Sequence, residues 1–285
     1  MADGAVREPA PAKLNPFLRV MGRRPDGFHE VETLVQPITL ADGVEVRVAP
    51  ELGLELAGPR AHEVPRGKEN LAIKAARALA EASGVRAGAR VVVVKQVPVA
   101  AGLGGGSADA AAALRALNRV WALGWDDERL AEVGAPVGSD VPALIGGGPV
   151  LARGRGERIE PAAVGRTWWV LVIEPFGVVA SDAYAWWDED GEPVGPDPAP
   201  VLAALRDGAA EEAGGLLFND LEPSVGARHP EIRAAREALV GAGAVGVVMC
   251  GSGPTMSGLC RDGRHAEEVA AAVGGLVVGS IVRPP

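Results

Sequence analysis

At 285 residues the chain is too long for one simple core, and its 48% hydrophobic and 23% charged content fits a soluble globular protein expected to form two closely packed domains. A net charge of -9 with no basic block excludes a broad nucleic-acid or anionic-membrane surface. It leaves room for a small phosphate ligand, which backbone N–H groups and one or two lysines can hold locally.

The two cysteines, Cys250 and Cys260, form no CxxC and point to a reduced, cytoplasmic setting. His29, His62, His229 and His265 are scattered without metal-ligand spacing. Residues 1–11 lack the apolar core of a signal peptide, and no apolar run reaches the roughly 18 residues that a membrane span needs.

In chain order, residues 10–20 read as a strand, followed by a Gly/Pro/Arg/Asp loop over 22–29 and strand-like runs at 32–40 and 44–48. Leu71, Ala75, Ala78 and Leu79 recur at helical spacing within 69–81. The β-branched run 90–97 reads as a buried strand. A glycine run, 102–106, then leads into an alanine-rich helix from Ser107 to about Leu123. After Gly146–Gly148, the stretch 152–160 reads as the passage between domains. Beyond it a strand is predicted at 167–173, a loop at 191–200, a helix at 230–240, strands at 245–249 and 255–260, a helix at 266–273 and a closing strand at 276–282. The second half thus has the β-α-β-β-α-β order of a ferredoxin-like domain.

Four stretches carry candidate chemistry. Residues 98–110, PVAAGLGGGSADA, follow a strand and open a helix. Glycines let the backbone approach a phosphate, and a helix start offers unpaired N–H groups and partial positive charge. Ser107 either caps that helix or faces a phosphate or Mg2+. The stretch is neither a Walker loop nor a dinucleotide fingerprint, and taken alone it reads equally as a glycine-rich turn. Lys13 and Asn15 share one face of an extended strand, suited to an anionic or hydroxyl-bearing ligand or simply to solvent. Asp140, in Gly138-Ser139-Asp140-Val141-Pro142, is placed as a general base, a helix N-cap, or both. Gly251-Ser252-Gly253-Pro254 presents backbone N–H groups or forms a plain hairpin turn.

The order of these four stretches resembles that of the GHMP kinases, named for galacto-, homoserine, mevalonate and phosphomevalonate kinases. The loop GLGGGSADAAAAL and the run GRRPDGFH at 22–29 narrow the likeness to the 4-diphosphocytidyl-2-C-methyl-D-erythritol kinases, whose signature is GxRxDGYH. Glu69-Asn70-Leu71, the GRGER run at 154–158 and Phe218-Asn219-Asp220-Leu221 match the same family, so the likeness extends from about residue 10 to 282.

The resemblance implies a two-domain α+β fold. Residues 1–155 would be a ribosomal-protein-S5-like ATP-binding domain containing a left-handed βαβ unit. Residues 156–285 would be the ferredoxin-like C-terminal domain, with substrates bound in the cleft between the two. It implies transfer of the ATP γ-phosphate to the 2-hydroxyl of 4-diphosphocytidyl-2-C-methyl-D-erythritol, with Asp140 as base and Lys13 as its cationic partner. Gly102, Leu103, Gly104, Gly105, Gly106 and Ser107 would wrap the triphosphate with Mg2+, and Ser107 is the one candidate protein contact for the metal. Pro98, Asn70 and Lys95 fall on the nucleotide side. Asn15 would lie near the reacting hydroxyl, His29 would read the cytosine edge, and Phe28 and Tyr184 would stack on the base.

The chain departs from the family at Pro16, at Ala180 in place of a common Thr, and at Phe28 in place of Tyr. Small-molecule substrates and a monomeric or homodimeric state are expected, without nucleic-acid or membrane partners. A different GHMP kinase is disfavoured because it has no use for a cytosine reader. A non-catalytic relative is disfavoured because Lys13, Asp140 and the whole glycine loop are present.

Overall fold

The computed structural model describes residues 4–191 and 193–282. Residues 1–3, 192 and 283–285 lie outside the described residues, and with them the outer ends of both expected domains, the start of the segment 1–11 and Glu192 of the 191–200 loop. The chain divides into two compact units, each discontinuous in sequence. The first comprises residues up to Ala12, Leu40–Val99 and Gly104–Gly147. The second comprises Lys13–Thr39, Ala100–Leu103 and the residues from Gly148 on.

The predicted strand over 10–20 is two strands, β1 (Val6–Leu14) and β2 (Phe17–Arg23). Pro16 has no N–H to give a ladder and confines Asn15 to extended geometry, so the break falls there. The two runs at 32–40 and 44–48 are instead one strand, β3 (His29–Ala49). Asp42 does not break it, because its carboxylate is engaged by main-chain N–H groups of Gln96 and Val97.

In the first unit, β4 (Gly53–Ala57) is followed by α1 (Leu71–Ser83) and β5 (Gly88–Val94). β5 lies between β4, with which it is parallel, and the later half of β3, with which it is antiparallel. Asn70 caps α1 through Ala72 N–H, and Gly84 ends the helix in the left-handed region at φ 70°. The alanine-rich helix α2 (Gly105–Val120) packs its small side chains closely, with Ala108 and Ala110–Leu114 buried. The short helices α3 (Asp127–Gly134) and α4 (Val141–Ile145) complete this unit.

In the second unit, the early half of β3 pairs antiparallel with β2 and with β6 (Val150–Gly154). The stretch 152–160 is the hairpin of β6 and β7 (Arg158–Pro161), in place of the bare passage expected there. β8 (Trp168–Val172) precedes a helical stretch of α5 (Ala180–Asp190), α6 (Ala199–Arg206) and α7 (Ala210–Gly214). β9 (Phe218–Asn219) then pairs parallel with β2, ahead of α8 (Glu222–Arg228) and α9 (Pro230–Gly241). β10 (Gly246–Met249), β11 (Met256–Cys260), α10 (Gly263–Val273) and β12 (Leu276–Gly279) close the chain.

The last sheet runs β10-β11-β8-β12, antiparallel throughout. The predicted face of α9 is the buried one: Ile232, Ala235 and Leu239 join Val247, Met249 and Met256 in the core. Among the described residues no helix is long and apolar enough to cross a membrane.

Leu239 is fully buried. Leu239→Ala is expected to destabilise the fold by about 2–5 kcal/mol, from lost burial and the cavity left behind. A denaturant titration checks this, and a change under about half a kcal/mol would contradict the packing.

Candidate active site

In the first unit the glycine run ends at Gly104, which takes the left-handed conformation (φ 67°) and occupies the N-cap of α2 with no side chain to cap it. The helix therefore opens at Gly105, and Ser107 stands inside its first turn instead of capping it. Gly105 and Gly106 adopt helical backbone, which moves the start two residues ahead of the predicted one. The opening N–H groups of α2 have no side-chain cap and carry the positive end of the helix dipole. Ser107 Oγ lies beside Gly138, where a Cβ would meet it at 3.4 Å, so the glycine loop and the turn carrying Asp140 are neighbours. Asp140 holds the N-cap position of α4, with Pro142 in the first turn, but its carboxylate makes no capping bond to that helix.

Asn70 is committed on both sides: Oδ1 accepts from Ala72 N–H at 3.0 Å and Nδ2 donates to Pro65 O at 3.1 Å. Lys95 is 1% exposed, and its ammonium donates to the carboxylates of Asp42 and Asp109, the latter at 2.7 Å. Burial pushes the Asp109 carboxyl up to about 7, with Lys95 pulling it down and Asp42 pushing it further up. Asp109 Oδ1 is buried with no hydrogen-bond partner.

In the second unit, Lys13 is buried and its Nζ donates to Asn15 Oδ1 at 2.7 Å. Asn15 Nδ2 donates to Thr33 Oγ1 at 2.9 Å and to Leu34 O at 3.2 Å, and Thr33 Oγ1 donates to Phe17 O at 2.6 Å. The break at Pro16 thus leaves the pair together, held through side chains rather than a continuous strand. Main-chain bonds from Lys13 N–H to Leu103 O (2.9 Å) and from Thr255 N–H to Ala101 O (3.4 Å) bring residues 101–103 to the same place.

Gly251 closes this notch. At φ 54°, a Cβ there would lie 2.7 Å from Lys13 Nζ, 3.0 Å from Gly102 O and 3.5 Å from Asn15 Oδ1. Only glycine leaves the ammonium in position. Asn219 Nδ2 fixes the turn by donating to Met249 O (2.8 Å) and Gly251 O (2.7 Å).

His29 and Tyr184 also meet. Their rings stack at 4.8 Å with a 22° interplanar angle, and Trp187 stands edge-on to His29 at 6.0 Å. Asp188 Oδ1 lies 3.0 Å from His29 Nε2, and the imidazole is only 9% exposed, so it is no surface loop histidine. Phe28 is 47% exposed, with the Arg155 guanidinium 5.0 Å over its ring.

Sequence reasoning misses Asp42, Asp109, Asp188, Thr33 and the structural use of Asn219. Two signals point to members of this set. Asp188 stands four residues after Tyr184 on one helix face. Asp109 is a lone carboxylate in an otherwise small, apolar helix segment.

The chain matches the model of the GHMP kinases N terminal domain over residues 70–148 and that of the GHMP kinases C terminal over 201–277. It is 45% identical over 268 residues to a 4-diphosphocytidyl-2-C-methyl-D-erythritol kinase of Pelotomaculum thermopropionicum, covering 92% of this chain and 91% of the relative. It is 39% identical to the protein of that name from Gloeobacter violaceus, covering 95% and 90%. The crystal structure of a 4-(cytidine 5'-diphospho)-2C-methyl-D-erythritol kinase superposes with a TM-score of 0.82 at 35% identity, covering 98% of this chain and all of that one. Mevalonate kinase of L. major, at 16% identity and a TM-score of 0.73 over 100% and 99% of the two chains, shares the fold.

The Lys95 cluster makes stability depend on pH. A carboxyl whose pKa is raised binds its proton more tightly in the folded chain than in the unfolded one. Its contribution is therefore complete below the ordinary carboxylate range and is lost as pH rises through about 7. Melting temperatures measured from about pH 5 to about pH 8 are expected to fall for the parent relative to Asp109→Asn. Parallel profiles would contradict this linkage.

Proposed function

Because the chain belongs to the GHMP kinases and, within them, to the 4-diphosphocytidyl-2-C-methyl-D-erythritol kinases, we propose that it transfers the γ-phosphate of ATP to the 2-hydroxyl of 4-diphosphocytidyl-2-C-methyl-D-erythritol, a step of non-mevalonate isoprenoid precursor synthesis. The observation that carries this reading is similarity at 39–45% identity over more than nine-tenths of the chain to relatives of that one name. The stacked His29–Tyr184 pair supports it, since a flat π-face suits a nucleobase.

Asp140 takes the proton of the attacking hydroxyl, and Lys13 supplies positive charge to the reaction. Asn15, hydrogen-bonded to Lys13, sits next to the hydroxyl. The loop residues Gly102, Leu103 and Gly104, with the uncapped start of α2 at Gly105, Gly106 and Ser107, hold the phosphates with their N–H groups. Pro98, Asn70 and Lys95 belong to the nucleotide side. His29, Phe28 and Tyr184 receive the cytosine. With Phe28 in place of Tyr, stacking survives and a phenolic hydrogen bond is lost.

Mg2+ fits the residues present as a companion of the nucleotide. Among the described residues no group of three or more His, Cys, Asp or Glu side chains could hold a metal. Mg2+ commonly takes its ligands from phosphates and water with one or two protein contacts, and Ser107 is the candidate for that contact here. Bound there, it neutralises phosphate charge during transfer.

For the fold, the parallel pair β4 and β5 joined through α1 supports an S5-like label for the part ending near residue 155. The strand order β10-β11-β8-β12 supports a ferredoxin-like label for residues 156–285. The enzyme works in the cytoplasm, as a monomer or homodimer.

ADP release from Mg-ATP is the test, with the cytidylylated substrate, homoserine, mevalonate and galactose as acceptors. Turnover is expected only with the first, and Asp140→Asn is expected to lower it by about a hundredfold or more. ATP binding without turnover of any acceptor would overturn the reading.

A further inference from the structure

The residues flanking the glycine loop contain a feature that nucleotide reading does not require. Lys95 is among the most buried large side chains of the protein. An ammonium taken out of water demands fixed partners, and here the side chains of Asp42 and Asp109, 0% and 5% exposed, provide them.

Each partner is tied to a different part of the nucleotide loop. Asp42 lies in β3, and its Oδ1 accepts from Gln96 N–H at 2.5 Å and Val97 N–H at 2.8 Å, just where the chain leaves β5 for Pro98. Asp109 lies one turn into α2 and accepts from Lys95 at 2.7 Å. Lys95 therefore joins the segment entering the loop to the helix leaving it. The ammonium also passes close to the first residue of α2, where a Cβ on Gly105 would stand 3.5 Å from Nζ. Replacing buried ion clusters by well-packed apolar groups is often neutral or stabilising, so this one is a weak source of stability, whereas its directed bonds fix geometry. It also has an electrostatic consequence. Two carboxylates stand behind a helix start meant for an anion, and Lys95 is the cation that offsets them.

We propose that Lys95, together with Asp42 and Asp109, is a positioning element for the phosphate loop, setting its shape and potential, and that the Lys95 side chain does not read the adenine base. This deepens the kinase reading and rests on it for the identity of the nucleotide.

The test measures direct ATP and GTP binding by calorimetry, without acceptor, for the full chain and for Lys95→Met, Asp109→Asn and the double variant, with melting curves alongside. Lys95→Met is expected to weaken ATP and GTP alike by about tenfold, leaving their ratio unchanged. Asp109→Asn, nearly isosteric, loosens the cluster but also removes a carboxylate from behind the helix start, so it should change the ATP and GTP affinities by one common factor smaller than that of Lys95→Met. The double variant should bind better than Lys95→Met, because one uncompensated carboxylate is gone.

A collapse of the ATP-to-GTP preference in Lys95→Met would overturn the proposal in favour of base reading. Unchanged affinity for both nucleotides, with only a lower melting temperature, would overturn it in favour of a purely structural cluster. Should Lys95→Met fail to fold, Asp109→Asn decides on the same two criteria. Since no acceptor is present, a parent protein that binds ATP yet phosphorylates none of the alcohols defeats the substrate reading and leaves this one standing.

Discussion

A lysine ammonium removed from water must have its donors answered by fixed acceptors, and this constraint organises both halves of the chemistry. Lys13 and Lys95 are 4% and 1% exposed. Around Lys13, the Asn15 amide accepts, Thr33 and Leu34 orient that amide in turn, and Gly251 supplies a backbone with no side chain in the way. Around Lys95, two carboxylates converge from β3 and α2. In each case a side chain that would be costly to bury unpaired becomes a reference point for a loop. Glycine at 251 follows from the same constraint, because a Cβ there would stand 2.7 Å from the Lys13 ammonium.

Much of this is legible from residue order. The α9 face, the β-branched strand β5 and the strands β8, β10, β11 and β12 follow from periodicity, because packing and propensity agree there, whereas β9 and the helices between β8 and α9 are not in the predicted order. The four chemical stretches stand out as well, since glycines, Lys13 and Asp140 are conspicuous as residue types. The failures cluster where side chains settle backbone geometry over long sequence distances. β3 runs unbroken through Asp42 because the carboxylate is satisfied by N–H groups 54 and 55 residues away. Nothing local to residues 40–44 announces that. Pro16 does split the first strand, and the split is readable in principle, since a proline cannot donate to a ladder.

The cap of α2 gives a second lesson. Serine is a good N-cap, and a Ser after glycines invites that reading. The chain instead uses Gly104 in the left-handed region and lets the helix begin at Gly105. That choice leaves the first N–H groups of α2 without a side-chain acceptor, the arrangement by which a helix start can receive an anion. The His29 environment shows the reverse case. Its partner Tyr184 is expected on the base, while Asp188, one helical turn on, escapes a reading by residue type, although it fixes the imidazole through Nε2. A paired histidine presents one defined ring nitrogen to a ligand, which a solvated one does not.

Everything turns on a phosphate being placed on one alcohol of a cytidylylated polyol. The most direct measurement is phosphorus NMR of the reaction with Mg-ATP. One new phosphomonoester resonance coupled to the 2-position is predicted, growing as ADP appears, with the substrate's own diphosphate signals retained. Consumption of ATP with inorganic phosphate as the only new species, or a phosphoester at another hydroxyl, would contradict it.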